Sequence, residues 1–206
     1  MRPEIKTITL AFTGASGMQY GLRLLECLIQ AQVRVYLLIS QAAQVVLKLE
    51  TGLEVPSRPQ EAERFFSHRF NAASGQLRVF GRQQWTAPVA SGSNPPQAMV
   101  ICPCTTGTLA SIAAGLSDDL IDRAADVALK ERRALILVVR ETPVHVLHLE
   151  HMLSLARAGA VIMPASPGFY CHPQSIDDLV DFLVARVLDH LGVAHNLSQR
   201  WGETED

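Results

Sequence analysis

Residues 8–17 combine two short segments that strongly restrict what can follow. Ile8-Thr9-Leu10-Ala11-Phe12 is an apolar run with β-branched residues, and it stops at the small-residue turn Thr13-Gly14-Ala15-Ser16-Gly17. From Tyr20 to Gln30, Leu22, Leu25, Leu28 and Ile29 recur at helical spacing. A strand feeding a glycine-bearing turn feeding a helix opens a nucleotide-type α/β unit. Val33 to Ile39 follows as a nearly continuous apolar strand, the pattern of a parallel sheet covered on both faces. Ser40 stands at its end, and residues 41–49 read as helix.

The same alternation returns later. Ala98 to Cys102 reads as a buried strand, Pro103 to Gly107 as a turn, and residues 108–114 and 120–132 as helices. Leu135 to Val139 is the next strand and ends in Arg140-Glu141. Thr142 is an expected N-cap and Pro143 an expected first helical residue. That helix should run to Ala158 and close at Gly159. Val161 to Met163 is a short strand, residues 164–173 a loop, and Ser175 caps a last long helix through Leu191. The middle is less regular, with a polar helix over 60–70 and a short strand at 77–80. Residues 85–96 hold three prolines, two serines and a glycine, and so read as a loop. A loop of that length is usually functional or disordered. The expected fold is α/β with a mostly parallel, doubly wound sheet. Residues 1–206 are read as a single domain, with a polar tail over 192–206 interrupted by Trp201.

Composition excludes several functions. The net charge of −2 provides no global basic field for nucleic acid. No apolar run reaches the roughly 18–20 residues of a membrane span. Residues 1–7 lack a signal-peptide layout, so a cytoplasmic location is expected. Charged residues make up 18% of the chain, against about 25% in an average soluble domain, so the surface is short of charge. Cys27, Cys102, Cys104 and Cys171 suit a reducing compartment. Cys102 and Cys104 are separated by one residue, not the two to four of a zinc knuckle. His145, His148 and His151 rotate progressively round a helix, so they are read as structural or interface residues. No metal is expected.

Open parallel sheets bind ligands beyond the carboxyl ends of their strands. That rule selects residues 14–17, Ser40, residues 105–108, Arg140-Glu141 and the loop through Tyr170. Small residues with backbone N–H groups and hydroxyls suit a phosphate or a flat cofactor. The glycines do not spell G-x-G-x-x-G, and a plain strand-to-helix turn is the alternative. Arg123 and Lys130 are seven apart on one helix face, with Asp126 between them as a pairing partner. Arg140 ends an apolar strand and Arg186 sits in an apolar series, where a charge is costly unless paired. Glu50 closes a helix, a position that disfavours acids, so it should have a specific partner. Glu141 adjoins Arg140; its alternative reading is a first-turn acid favourable to the next helix.

Taken together, several segments closely resemble the flavin prenyltransferases of the UbiX type. They are residues 13–17, Ser91-Gly92-Ser93, the run 124–133 around Lys130, Arg140-Glu141-Thr142-Pro143, Gly168-Phe169-Tyr170 and Pro173-Gln174-Ser175. The resemblance extends from about Thr7 to Trp201. It implies a Rossmann-like flavoprotein fold and metal-independent transfer of a dimethylallyl group from dimethylallyl phosphate to N5 and C6 of reduced FMN. It further implies that the prenylated FMN serves a UbiD-type decarboxylase, often in ubiquinone biosynthesis, and that the enzyme is a homododecamer with sites at subunit interfaces. Carried over, the flavin site comprises Gly14, Ala15, Ser16, Ser40, Thr105, Thr106, Gly107, Thr108 and Arg140. The prenyl phosphate falls to Arg123, Lys130, Arg140, Tyr170 and Arg186. Ser16, Glu50, Lys130 and Glu141 are the catalytic set, and Trp85 and Trp201 shield the site. Thr105 stands where serine is frequent, Gly107 where some members carry lysine, and Cys171-His172 where histidine usually follows the tyrosine at once.

This chemistry agrees with the residues. Breaking an allylic C–O bond leaves negative charge on phosphate, which cationic donors stabilise, and aromatic faces stabilise an allylic cation. Two other readings compete. A flavin-dependent cysteine decarboxylase would show different residues at 167–169, and a non-enzymatic flavin carrier would not need Lys130, Arg140, Tyr170 and Arg186 together.

Overall fold

A computed structural model of the chain describes residues 7–198. Six strands alternate with seven helices in the order β1 (Thr7–Phe12), α1 (Met18–Gln30), β2 (Arg34–Ile39), α2 (Gln41–Thr51), α3 (Pro59–Arg69), β3 (Leu77–Phe80), β4 (Ala98–Cys104), α4 (Thr106–Ala113), α5 (Leu120–Lys130), β5 (Ala134–Val139), α6 (Val146–Arg157), β6 (Val161–Pro164) and α7 (Ile176–Leu191). The strands form one sheet in the order β3-β2-β1-β4-β5-β6, and every pairing is parallel. This is the doubly wound arrangement, with strand order reversing between β1 and β4.

Alternation along each strand builds two cores. Ile8, Leu10 and Phe12 of β1, Val35 and Leu37 of β2, Val100 of β4 and Ile136 of β5 point to one face, where residues of α1, α2, α3 and α7 cover them. Ala11, Leu38, Met99, Ile101, Leu135 and Leu137 point to the other, under α4, α5 and Leu155 of α6. Each fully buried aliphatic or aromatic side chain contributes about 1.5–3 kcal/mol, which explains why the strands are apolar on both faces.

Residues 85–96 form the expected loop, the crossover from β3 to β4, with a 3₁₀ turn at Pro88–Ala90. Ala87 and Val89 are buried in the second core, and Arg123 Nε of α5 donates to Ala90 O at 3.0 Å. The helix expected from Pro143 starts at Val146 instead, with His145 as N-cap. The Thr142–Pro143 peptide is cis, the Thr142 N–H is taken by Glu141 Oε1 at 3.1 Å, and the His145 N–H donates to His148 Nδ1. The tail is less polar in effect than in composition, because Val193 is buried in the first core and Leu197 packs against it. Trp201 lies outside the described residues. No helix among the described residues is long and apolar enough to cross a membrane.

Phe66 fastens α3 to the sheet. It is fully buried, meets Phe12 edge-on at 6.4 Å and stacks on Phe70 at 6.2 Å. Phe66→Ala should lower unfolding free energy by about 3–5 kcal/mol, read from the shift in denaturant midpoint. An unchanged midpoint would mean that α3 adds nothing to the core.

Candidate active site

The turn after β1 needs a left-handed residue at its end, and Gly17 provides it at φ 101°. Gly14 has a packing reason as well: a Cβ there would lie 2.4 Å from the Ala42 Cβ, so this turn sits directly against α2. Glu50, in the last turn of α2, reaches across to α1. Its carboxylate accepts from the Gly17 N–H at 2.9 Å and from the Met18 N–H at 2.9 Å. The acid disfavoured at the end of its own helix therefore sits on the N-terminal dipole of another. Burial pushes the Glu50 carboxyl up. Hydrogen bonds from Ser16 and from the Met18 and Gly17 amides, with the charge of Arg140, outweigh that and hold it below its usual value.

The other helix starts are also capped from within the chain. Ser40 Oγ accepts from the Ala43 N–H at 3.0 Å. Thr105 Oγ1 accepts from the Thr108 N–H at 3.0 Å and donates to Thr108 Oγ1 at 2.9 Å. The amides expected to cradle an anion are thus partly engaged by the protein's own oxygens. Thr106 Oγ1 reaches Glu141 Oε2 at 3.4 Å, linking the turn after β4 to the end of β5. A Cβ at Gly107 would meet only Thr105 Oγ1, at 3.8 Å, so the surface there is open.

Beside the turn after β1 lies a cleft of about 400 Å³ lined by Ser16, Gly17, Gln19, Tyr20, Glu50, Arg140, Ala165, Ile176 and Val180. Arg140 follows β5, and its N–H donates to Cys104 O at 3.2 Å. Its side-chain Nε is buried with no hydrogen-bond partner. A buried guanidinium N–H without an acceptor is costly, so this atom fits a ligand that brings one. The structure thus brings together Ser16, Glu50 and Arg140, with Glu141 joined through Thr106. Gln19, Tyr20, Ala165, Ile176 and Val180 were missed. Tyr20 had a signal in its position one helical turn after the glycine-bearing bend. Burial, with nearby Cys102, pushes its hydroxyl pKa up, so it remains a neutral donor.

Other expected site residues are not among those lining this cleft. Lys130, the last residue of α5, pairs with Glu131, and both press on Gly92 of the crossover. Lys130 and Arg140 stand at opposite ends of the six-residue β5, roughly 20 Å apart at about 3.3 Å per residue. Arg123 pairs with Asp126 at 2.7 Å, as the spacing predicted, and pins the crossover. Arg186 is not enclosed: its side chain is 55% exposed and pairs with Asp189 at 2.9 Å, because only its neighbours on α7 face the core. Tyr170 meets Phe182 edge-on at 5.5 Å, and Trp85 is exposed on the crossover. The thiols of Cys27, Cys102 and Cys104 are buried and free, and burial pushes the Cys104 thiol up to about 12, with Asp122 adding to it. Among the described residues no group of three or more His, Cys, Asp or Glu side chains is placed to hold a metal ion.

Comparison with known proteins bears on this geometry. The Flavoprotein family model matches residues 2–188. The flavin prenyltransferase UbiX of Pseudomonas aeruginosa is 59% identical over 196 residues, covering 95% of this chain and 94% of that protein. The chain belongs to the UbiX-type flavin prenyltransferase family. The crystal structure of AnUbiX in complex with FMN and dimethylallyl pyrophosphate superposes with a TM-score of 0.86 at 40% identity, covering 98% of this chain and 100% of that one. The structure of a dodecameric FMN-dependent UbiX-like decarboxylase from Escherichia coli O157:H7 gives a TM-score of 0.83 at 37% identity, over 95% and 98% of the two chains. For a UbiX-type enzyme, one chain assembles Ser16, Glu50 and Arg140 but leaves Lys130 on a distant edge.

The lowered Glu50 pKa has a defined pH signature. Its folded value lies below the usual 4.5, so its stabilisation is complete above that pH and fades as pH falls through the lowered value. Glu50→Gln should therefore cost about 1 kcal/mol at neutral pH and progressively less under acid. Thermal melts of both proteins across pH 3–7 check this; a pH-independent difference would contradict it.

Proposed function

We propose that this protein joins a dimethylallyl group from dimethylallyl phosphate to N5 and C6 of reduced FMN. The observation that carries the reading is the buried, unpartnered Arg140 Nε beside an ionised Glu50, in a cleft at the small-residue turn that carries Ser16 and Gly17. The chain's identity to UbiX relatives supports the same reaction. Gly14, Ala15, Ser16, Ser40, Thr105, Thr106, Gly107, Thr108 and Arg140 would hold the flavin. When bound, reduced FMN supplies the nucleophilic N5 and C6. Arg140 supplies positive charge where a phosphate or flavin oxygen sits. Ser16 donates toward the Glu50 carboxylate, so its Oγ can take a proton from the cleft while passing its own to Glu50. Glu141 stands at the open edge and can receive a second proton.

The leaving phosphate needs more cations than one chain gathers at this cleft. Lys130 and Arg123, with Arg186, Tyr170, Trp85 and Trp201 as the remaining members of the set, would come from neighbouring copies. Two features support assembly. The outer side of α6 exposes Val146 at 65%, Leu147, Leu149 and Leu153 at 51%. Ile176, which lines the cleft, is 75% exposed, and Leu49 and Phe169 are exposed as well. Such faces are characteristic of subunit contacts, and the dodecameric relative supports that number of copies. The product would pass to a UbiD-type decarboxylase, as in ubiquinone biosynthesis, and the four cysteines suit the reducing cytoplasm. The reading treats the whole chain as one FMN-binding domain.

Anaerobic incubation with reduced FMN and dimethylallyl phosphate should yield a flavin heavier by one C5H8 unit; an unchanged mass would refute the activity. Lys130→Ala and Arg140→Ala should each abolish turnover. If sites are shared, coexpressing the two variants should restore about a quarter of the sites by random mixing of copies. Mixed oligomers without recovered activity would show that each copy keeps its own Lys130.

A further inference from the structure

A proline has no N–H to give to a ladder, and Pro103 interrupts β4 where the sheet opens. The β1–β4 pairing runs from Ile8 with Ala98 to Ala11 with Ile101 and then stops. The β4–β5 register shifts between Ile101 and Cys104. Beyond that point a single residue, Thr13, rejoins β1 to β4. Its N–H donates to Pro103 O at 3.3 Å, and its hydroxyl donates to the same carbonyl at 2.8 Å. The hydroxyl oxygen accepts from the Thr105 N–H at 2.9 Å. Thr13 is 1% exposed, so water cannot replace these partners.

The position of this bridge is what matters. Thr13 begins the turn that carries Gly14, Ala15 and Ser16, and Thr105 caps the first turn of α4, which carries Thr106, Gly107 and Thr108. These turns face each other across the point where strand order reverses. One buried hydroxyl therefore joins the two lips of the crevice, beside a single backbone bond from the Thr13 N–H and past the end of the regular β1–β4 pairing.

We propose that Thr13 is a positioning residue: its hydroxyl sets the spacing between the two turns and thereby the affinity for FMN, which it does not touch. The inference rests on reading the crevice as the flavin site. Valine has nearly the same shape but cannot bridge. It would leave the Thr105 N–H buried without an acceptor, a penalty relieved by moving the turn away. Serine keeps the hydroxyl and loses only a methyl group.

The test titrates FMN into the full-length protein, Thr13→Val and Thr13→Ser, following flavin fluorescence, with a thermal melt of each. Thr13→Val should bind FMN about tenfold or more weakly, the effect of one lost buried hydrogen bond. Thr13→Ser should stay within about twofold of the parent. At saturating FMN, the KM for dimethylallyl phosphate should change less than the FMN affinity. A valine variant that melts lower but binds FMN like the parent would overturn the proposal, because Thr13 would then only stabilise the fold. A serine variant as weak as the valine one would also overturn it, because the methyl group and not the hydroxyl would matter. If the valine variant does not fold, Thr13→Ala removes the same hydroxyl and carries the same expectation. A parent that binds no FMN would strike the flavin reading itself, an outcome distinct from intact parental binding with an unaffected variant.

Discussion

β1 and β4 are hydrogen-bonded neighbours for four residue pairs, and then the helices that follow them leave for opposite faces of the sheet. The gap this opens is the constraint on which the functional end depends. Backbone groups exposed there have no ladder partner, and buried ones must find another. The chain answers with side chains: Glu50 for the Gly17 and Met18 amides, Ser40 for Ala43, and Thr105 for Thr108. Thr13 closes the deepest position. After these pairings the Arg140 Nε remains buried without a partner. The crevice is thus a largely self-satisfied polar frame with one cationic donor left for a ligand.

Periodicity made the strands and most helices legible, because parallel strands covered on both faces must be apolar throughout. Glu50 was legible by a different route. An acid at the end of its own helix is unfavourable, which predicted a specific partner, and the amides of α1 are that partner. Position-specific capping was harder. Thr142-Pro143 carries the local signals of a helix start, yet the acid beside it takes the Thr142 amide and the helix begins at Val146. Arg186 misled because sequence neighbours on a helix point in different directions; its apolar neighbours face the core and it does not. Thr13 was hidden for a related reason. The sequence marks Thr13 only as the first residue of a small-residue turn, and the partners of its hydroxyl, the Pro103 carbonyl and the Thr105 amide, lie 90 and 92 positions away. The role of the crossover was equally non-local, since its burial depends on Arg123 and the second core.

The shortage of charge also gains a physical meaning. Many of the charged side chains present are spent on internal pairing: Arg23 with Asp181, Arg82 with Asp119, Arg123 with Asp126. Meanwhile α6 turns apolar side chains outward along most of its length. A surface of this kind suits burial between copies better than exposure to water. Assembly and catalysis are then one problem, because it would bring Lys130 to a cleft that its own chain holds at the far end of β5.

The central claim is that the crevice between the turns after β1 and β4 receives the flavin, with Arg140 as the waiting donor. A crystal structure of the protein soaked with FMN tests it most directly. The account predicts flavin density between residues 14–17 and 105–108, with an acceptor atom of the flavin or of its phosphate within hydrogen-bond distance of Arg140 Nε. Flavin bound elsewhere, with that nitrogen still unpartnered, would contradict it.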